Sequence, residues 1–159
     1  MSLVKDKIYG DEVEEDFKAY FQSKGYEVFE STKNQNMRGH LDFFVKKNGK
    51  TVKVEVKGKK RINKGDELSD EVTWIEFVGV TGYCGWLYGD ADYLAFKRED
   101  GYSLVDRKIL IEEVTQKVFM NRCKWGKGLY ELHDRSAYGK KDLMTLIPLK
   151  LIDKIGIKI

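Results

Sequence analysis

Three side chains have the types and spacing for phosphate chemistry: Asp42 in "HLDFFV" (40–45), and Glu55 and Lys57 in "VKVEVKG" (52–58). Each carboxylate interrupts an extended, largely apolar run, where it has no packing role of its own. Hard carboxylate oxygens presented by two rigid strands supply part of the shell of Mg²⁺, with water and phosphate oxygens completing the octahedron. The backbone carbonyl of Val56, between the second acid and the lysine, is a further expected ligand. Lys57 follows Glu55 by two residues and so shares its face. Its ammonium is placed to hold or help deprotonate a metal-bound water, or to stabilise charge on a phosphorane-like transition state.

The elements that position this trio follow from local patterning. Asn48-Gly49 predicts a two-residue hairpin turn with Lys47 facing Lys50. Counting outward, Asp42 is expected directly opposite Glu55, with Cβ atoms roughly 4.5–5.5 Å apart, a like-charge pairing that destabilises a sheet unless something offsets it. Alternation puts Leu41, Phe43 and Val45 on one face with Val52, Val54 and Val56, an expected core. The opposite face carries His40, Asp42 and Phe44 against Lys53, Glu55 and Lys57. The competing expectation is a solvated strand face on which the acids pair with Lys53 and Lys57.

Upstream, Gly10 to Lys24 has Val13, Phe17, Tyr20 and Phe21 at helical spacing, with Gly25 as the stop. Glu14 shares the face of Phe17 and Phe21, which directs it towards the sheet. The alternative is a capping box with Asp11 as N-cap and Glu14 at N3. Glu12, Glu15 and Asp16 read as first-turn acids.

The segments "EEDFKAYFQSKGYEVFE" (14–30), "GHLDFFV" (39–45) and "VKVEVKGKKR" (52–61) together resemble the PD-(D/E)XK nuclease superfamily, and within it the archaeal Holliday-junction resolvases and related small nucleases. The resemblance implies a restriction-endonuclease-like core and Mg²⁺-dependent phosphodiester hydrolysis, with Mn²⁺ able to substitute. It implies Asp42 and Glu55 as metal ligands, Lys57 as catalytic, Glu14 as an aid in ordering metal or water, and a symmetric dimer. It covers roughly the first 61 residues and departs from the family afterwards. Such nucleases place an amphipathic helix soon after the ExK strand, whereas here a polar loop leads into "TWIEFVGV".

The chain has 159 residues, 42% hydrophobic and 35% charged, as expected of one globular domain over 1–159. The fold class is α/β (α+β): a central mixed sheet flanked by helices, ordered roughly α-β-β-β, then further strands and a second helix. Strands are expected at 26–30, 41–47, 51–57, 72–80, 91–97, 102–106 and 143–147, with 61–71 as loop. The second helix is expected over Asp106–Val118, and a short one after Pro148. No apolar run reaches the ~20 residues of a membrane span. Neither a secretory signal nor CxxC spacing around Cys84 and Cys123 is present, so a cytoplasmic setting with reduced thiols is expected.

Net charge is +3, but residues 31–64 hold 11 Lys/Arg against 2 Asp/Glu. A basic field around a small acidic centre suits a polyanion, with DNA as the expected partner and no membrane. Lys59, Lys60, Arg61 and Lys64 are expected to contact phosphates beside the cut, and His40 to touch substrate. In "NRCKWGKG" (121–128), Lys124, Trp125 and Lys127 suit a backbone-tracking loop with one stacking ring. Tyr83, Trp86, Tyr88 and Tyr93 read as core or sheet edge, His133 as structural, and Glu76, Asp90 and Asp92 as a weaker rival acidic set. Two other functions fit the same residues: a non-catalytic nucleic-acid-binding or assembly domain, and an RNA-processing nuclease.

Overall fold

The computed structural model describes residues 3–63, 65–118, 122–124 and 128–159. Helix α1 (Leu3–Ser23) is followed by strand β1 (Glu27–Glu30), a short helix α2 (Lys33–Gly39), and the hairpin of β2 (Phe43–Lys47) and β3 (Lys50–Lys57). Then come β4 (Val72–Val78), β5 (Tyr93–Lys97), β6 (Tyr102–Asp106) and α3 (Arg107–Lys117). The remainder holds β7 (Arg122–Lys124), β8 (Leu132–Asp134), β9 (Leu143–Pro148), α4 (Leu149–Ile155) and β10 (Ile157–Lys158). The α+β class is as expected, with α2 inserted between the first two strands. Among the described residues no helix is long and apolar enough to cross a membrane.

A six-stranded mixed sheet runs β1-β2-β3-β5-β6-β10, and a four-stranded sheet runs β4-β9-β8-β7. The hairpin has the expected register, Lys47 facing Lys50 and Phe43 facing Val54. Its turn residues Asn48 and Gly49 both adopt positive φ, 53° and 77°, the backbone that matches strand twist. β3 then pairs in parallel with β5, and the crossover between them carries β4 into the second sheet.

Alternation along the strands gives the first sheet two buried faces. Val13, Phe17 and Phe21 of α1 pack with Val28, Phe43, Val45, Val54, Ala95 and Tyr102 on one face. Phe17 is fully buried, stacked on Phe21 with centroids 4.3 Å apart and edge-on to Tyr102. On the other face Leu94, Phe96 and Val105 meet Ile75 and Ile147 of the second sheet and apolar residues of α3 and α4. The two sheets therefore share a core.

The structure corrects several boundaries. α1 starts at Leu3, not Gly10; periodicity does not reveal its first turns because they carry no apolar stripe, Val4 and Ile8 being exposed. Tyr9 ties that extension down, its Oη accepting the Lys59 N–H at 3.0 Å. Asp11 is consequently mid-helix, which removes the capping box with Glu14. β4 ends at Val78, where a tight turn begins. Tyr83 and Tyr88 are exposed rather than core, while Trp86 is buried.

Truncating the central ring tests the first core. Phe17→Ala is expected to lower unfolding free energy by about 3–5 kcal/mol, read as a lower urea midpoint with an unchanged slope.

Candidate functional site

The site forms where β2 leaves the ladder. Asp42 N–H donates to the carbonyl of Val54 at 3.1 Å, although Val54 is the partner of Phe43. Asp42 and Phe43 thus both oppose Val54, a β-bulge, the device by which strands re-aim a side chain. Asp42 is therefore not directly across from Glu55 as the simple register requires. Its carboxylate instead takes over the ladder, Oδ2 accepting the Val56 N–H at 2.7 Å. The carbonyl of Val56 lies on the same strand edge as that N–H, facing the same opening.

Helix α2 holds the other side of Asp42. Thr32 and Gln35 form a reciprocal capping box that starts it. One turn on, Asn36 Nδ2 donates to Asp42 Oδ1 at 2.6 Å. The helix ends on His40, whose left-handed backbone (φ 49°, ψ 56°) turns the chain into Leu41 and Asp42. Gly39 allows the loop after Trp86 to press close: the Asp90 N–H bonds the Gly39 carbonyl at 2.7 Å, and a Cβ at Gly39 would lie 2.6 Å from Asp90 Oδ2.

Both acids are buried, Asp42 at 7% exposure and Glu55 at 5%, so this end of the face is not solvated, although Glu55 does pair with Lys57 as the competing expectation had it. Glu55 Oε1 is bonded to Lys57 Nζ at 2.5 Å, and the same ammonium lies 4.8 Å over the Trp86 ring. Glu55 Oε2 is buried with no hydrogen-bond partner among the described residues. Such an orphan costs about 1–3 kcal/mol unless an incoming group satisfies it. Burial, and next the charge of Glu55, push the Asp42 carboxyl up to about 8. Glu14 is half-buried on the facing helix, and its pKa is raised by burial, then by Asp11 and Glu55.

These groups line one cleft of about 300 Å³, shared by Glu14, Asn36, His40, Asp42, Glu55, Lys57 and Lys60. Among the described residues no cluster of three or more His, Cys, Asp or Glu forms a ready-made metal cage. A hydrated Mg²⁺ needs no cage, because one or two carboxylates suffice when water and phosphate fill its shell. The donors suit it: the unpartnered Glu55 Oε2, an Asp42 carboxylate with lone pairs to spare, and the Val56 carbonyl edge.

Of the other predicted residues, His40 reaches the cleft, its Nε2 within 3.1 Å of the Cys84 carbonyl oxygen. Lys59 is ion-paired with Asp70, and Arg61 Nε donates to the Asp66 carbonyl at 2.7 Å. Both line a groove adjoining the cleft rather than the cleft itself. Lys124 sits in β7 at the outer edge of the second sheet, and Lys64, Trp125 and Lys127 lie outside the described residues. The rival acids do not converge: Asp92 Oδ2 accepts the Lys53 N–H at 2.8 Å, while Glu76 lines a separate groove. His133 is fully buried, with Nε2 3.1 Å from the Gly128 carbonyl oxygen. Sequence reasoning missed Asn36, Tyr9 and the role of Trp86. For Asn36 a signal existed, the T-x-x-Q capping box at 32–35.

The cleft makes stability pH-dependent. An acid whose pKa is higher folded than unfolded favours folding at low pH, and that contribution is lost as pH rises through the folded value. With Asp42 raised from 3.8 to about 8, the melting temperature in EDTA should fall between about pH 4 and 8. Asp42→Asn should flatten the fall, and Mg²⁺ should restore stability at pH 8, as read by thermal scans. No protein-family model, curated protein or solved structure matches this chain, so what the cleft does rests on its own residues.

Proposed function

We propose that this protein is a Mg²⁺-dependent nuclease that hydrolyses phosphodiester bonds in DNA, of the PD-(D/E)XK kind that residues 14–61 resemble. The observation that carries the proposal is the orphan oxygen of buried Glu55 beside buried Asp42, with Lys57 on the same cleft. Asp42, Glu55 and the Val56 carbonyl would hold the ion, which when bound supplies an acidified water and neutralises phosphate charge. Mn²⁺, with similar oxygen preference, would serve in its place.

The chain's own groups do the rest. Lys57, steadied by the Trp86 face, holds the attacking water or meets the charge that develops on the phosphate. Glu14, with its raised pKa, is placed across the cleft to orient a second water or take up a proton. Asn36 and the Val56 N–H keep the Asp42 carboxylate from turning away. Lys60, which lines the same cleft, meets the substrate phosphate. A two-fold dimer presenting two clefts to a duplex, and a cytoplasmic setting, belong to the same proposal.

The test is a panel of linear, nicked, branched and single-stranded DNA incubated with Mg²⁺, Mn²⁺ or EDTA. Products are expected only with a divalent ion, and Lys57→Ala should reduce kcat by about 10²–10³-fold. Glu55→Gln and Asp42→Asn should abolish measurable cleavage while circular dichroism stays unchanged. Undiminished turnover in either would refute this mechanism. DNA binding without metal-dependent products would leave a binding or assembly domain, and products from RNA alone would make it an RNA-processing enzyme.

A further inference from the structure

Two grooves of opposite character meet the acidic cleft. On one side Asp6, Tyr9 and Lys60 pass from the cleft into a groove that also holds Lys59, Arg61 and Arg135. On the other side His40 is shared with a groove of about 630 Å³ whose walls include Met37, Val80 and Tyr83. The first is cationic and suits a phosphate backbone. The second is apolar, with Arg38 and Glu76 as its charged members.

The apolar groove is built, not incidental. After β4 the chain makes a tight turn: the Gly79 N–H bonds the Tyr83 carbonyl at 2.8 Å, and Gly82 takes φ 89°. That turn leaves Val80 and Tyr83 in solvent at 52% and 79% exposure, and Met37, at 66%, lines the same groove. A close backbone approach fixes its base, since a Cβ on Gly85 would sit 2.3 Å from the Glu76 carbonyl oxygen. Val80, Tyr83 and Met37 thus gather exposed apolar surface around one groove.

The chemistry on offer is base chemistry. Tyr83 has a free ring face, Met37 a polarisable thioether, and Glu76 a carboxylate able to accept from the amino group of cytosine. A paired duplex hides its base faces in the stack and shows phosphates on both sides of any bond. A strand whose bases are unpaired shows those faces and binds by stacking on aromatic rings.

Resting on the nuclease reading above, we infer that the Met37–Val80–Tyr83 groove takes unpaired nucleotides on one side of the bond to be cut, while Lys59, Lys60 and Arg61 hold the backbone on the other. The substrate is then DNA at a boundary between paired and single-stranded segments.

The experiment measures binding by fluorescence anisotropy in EDTA, where no metal-dependent cleavage occurs. The probes are a blunt duplex, a forked duplex and a single-stranded oligonucleotide. Wild type should prefer the forked and single-stranded probes, and Tyr83→Ala should weaken both by about ten-fold or more while changing blunt-duplex affinity less than about two-fold. Tyr83→Phe, which keeps the ring, should bind as wild type does. Lys60→Ala should weaken all three probes and flatten the salt dependence. Equal loss on blunt and forked probes, no loss on either, or no binding at all would overturn the inference. Metal-dependent cleavage is scored in parallel on the same DNAs. A Tyr83-dependent fork preference without cleavage would remove the nuclease reading and leave the groove standing; cleavage without that preference would do the reverse.

Discussion

Two acidic side chains buried side by side at the end of β3 are the constraint on which the rest depends. β3 is covered by α1 on one face, through Val54 and Val56, while on the other the Lys57 ammonium lies over the Trp86 ring. Glu55 and the neighbouring Asp42 have little access to water, each being more than nine-tenths buried. Removing one partner from a buried ionic group typically costs 3–5 kcal/mol, because the survivor is left uncompensated. The chain meets the demand partly, with Lys57 on one Glu55 oxygen and the Asn36 amide and Val56 N–H on Asp42. The remaining Glu55 oxygen has no partner. A cation bound there would satisfy it, and the proposed metal site rests on that oxygen.

Much of this was legible because short-range rules govern it. Asn48-Gly49 determines its turn by the positive φ that both residues tolerate, and the turn determines the register down to Phe43. Period-two alternation then sends Val54 and Val56 to the α1 core and Glu55 and Lys57 to the other face. Glu14 followed from the spacing of Phe17 and Phe21. The bulge at Asp42 was not legible, because nothing local causes it. It arises where β2 is drawn aside by the Ser31 N–H, which bonds the Asp42 carbonyl at 2.9 Å, and by the α2 corner at His40. Likewise the start of α1 depends on Tyr9 finding Lys59, and the second sheet depends on β4 meeting β9, both contacts distant in sequence. Tyr83 misled as an aromatic that belongs in a core, because composition does not reveal a glycine turn that faces it outward.

The position of the cleft follows from topology. β3 has an antiparallel neighbour on one side and a parallel neighbour on the other, so the chain must leave its C-terminal end to cross over. At that end the β2–β3 ladder has ended, so on its β2 side the Val56 N–H meets the Asp42 side chain, while Ala95 of β5 stays its partner on the other. An opening at the carboxyl end of a strand where neighbouring connections diverge is where open sheets bind ligands. Gly58 keeps it passable for α1: a Cβ there would lie 2.8 Å from the Tyr9 ring.

Lys57 occupies two positions in this logic, and they conflict in a useful way. In the metal-free protein its ammonium serves as the internal counter-ion of Glu55, pinned by a short hydrogen bond and the Trp86 ring. A divalent ion on Glu55 would take over that neutralisation and repel the ammonium, freeing it to face the substrate phosphate. The Trp86 ring would go on holding the ammonium from its other side, a contact worth about 0.5–2 kcal/mol. In the proposed function Trp86 is therefore a positioning residue for Lys57, acting through its ring face.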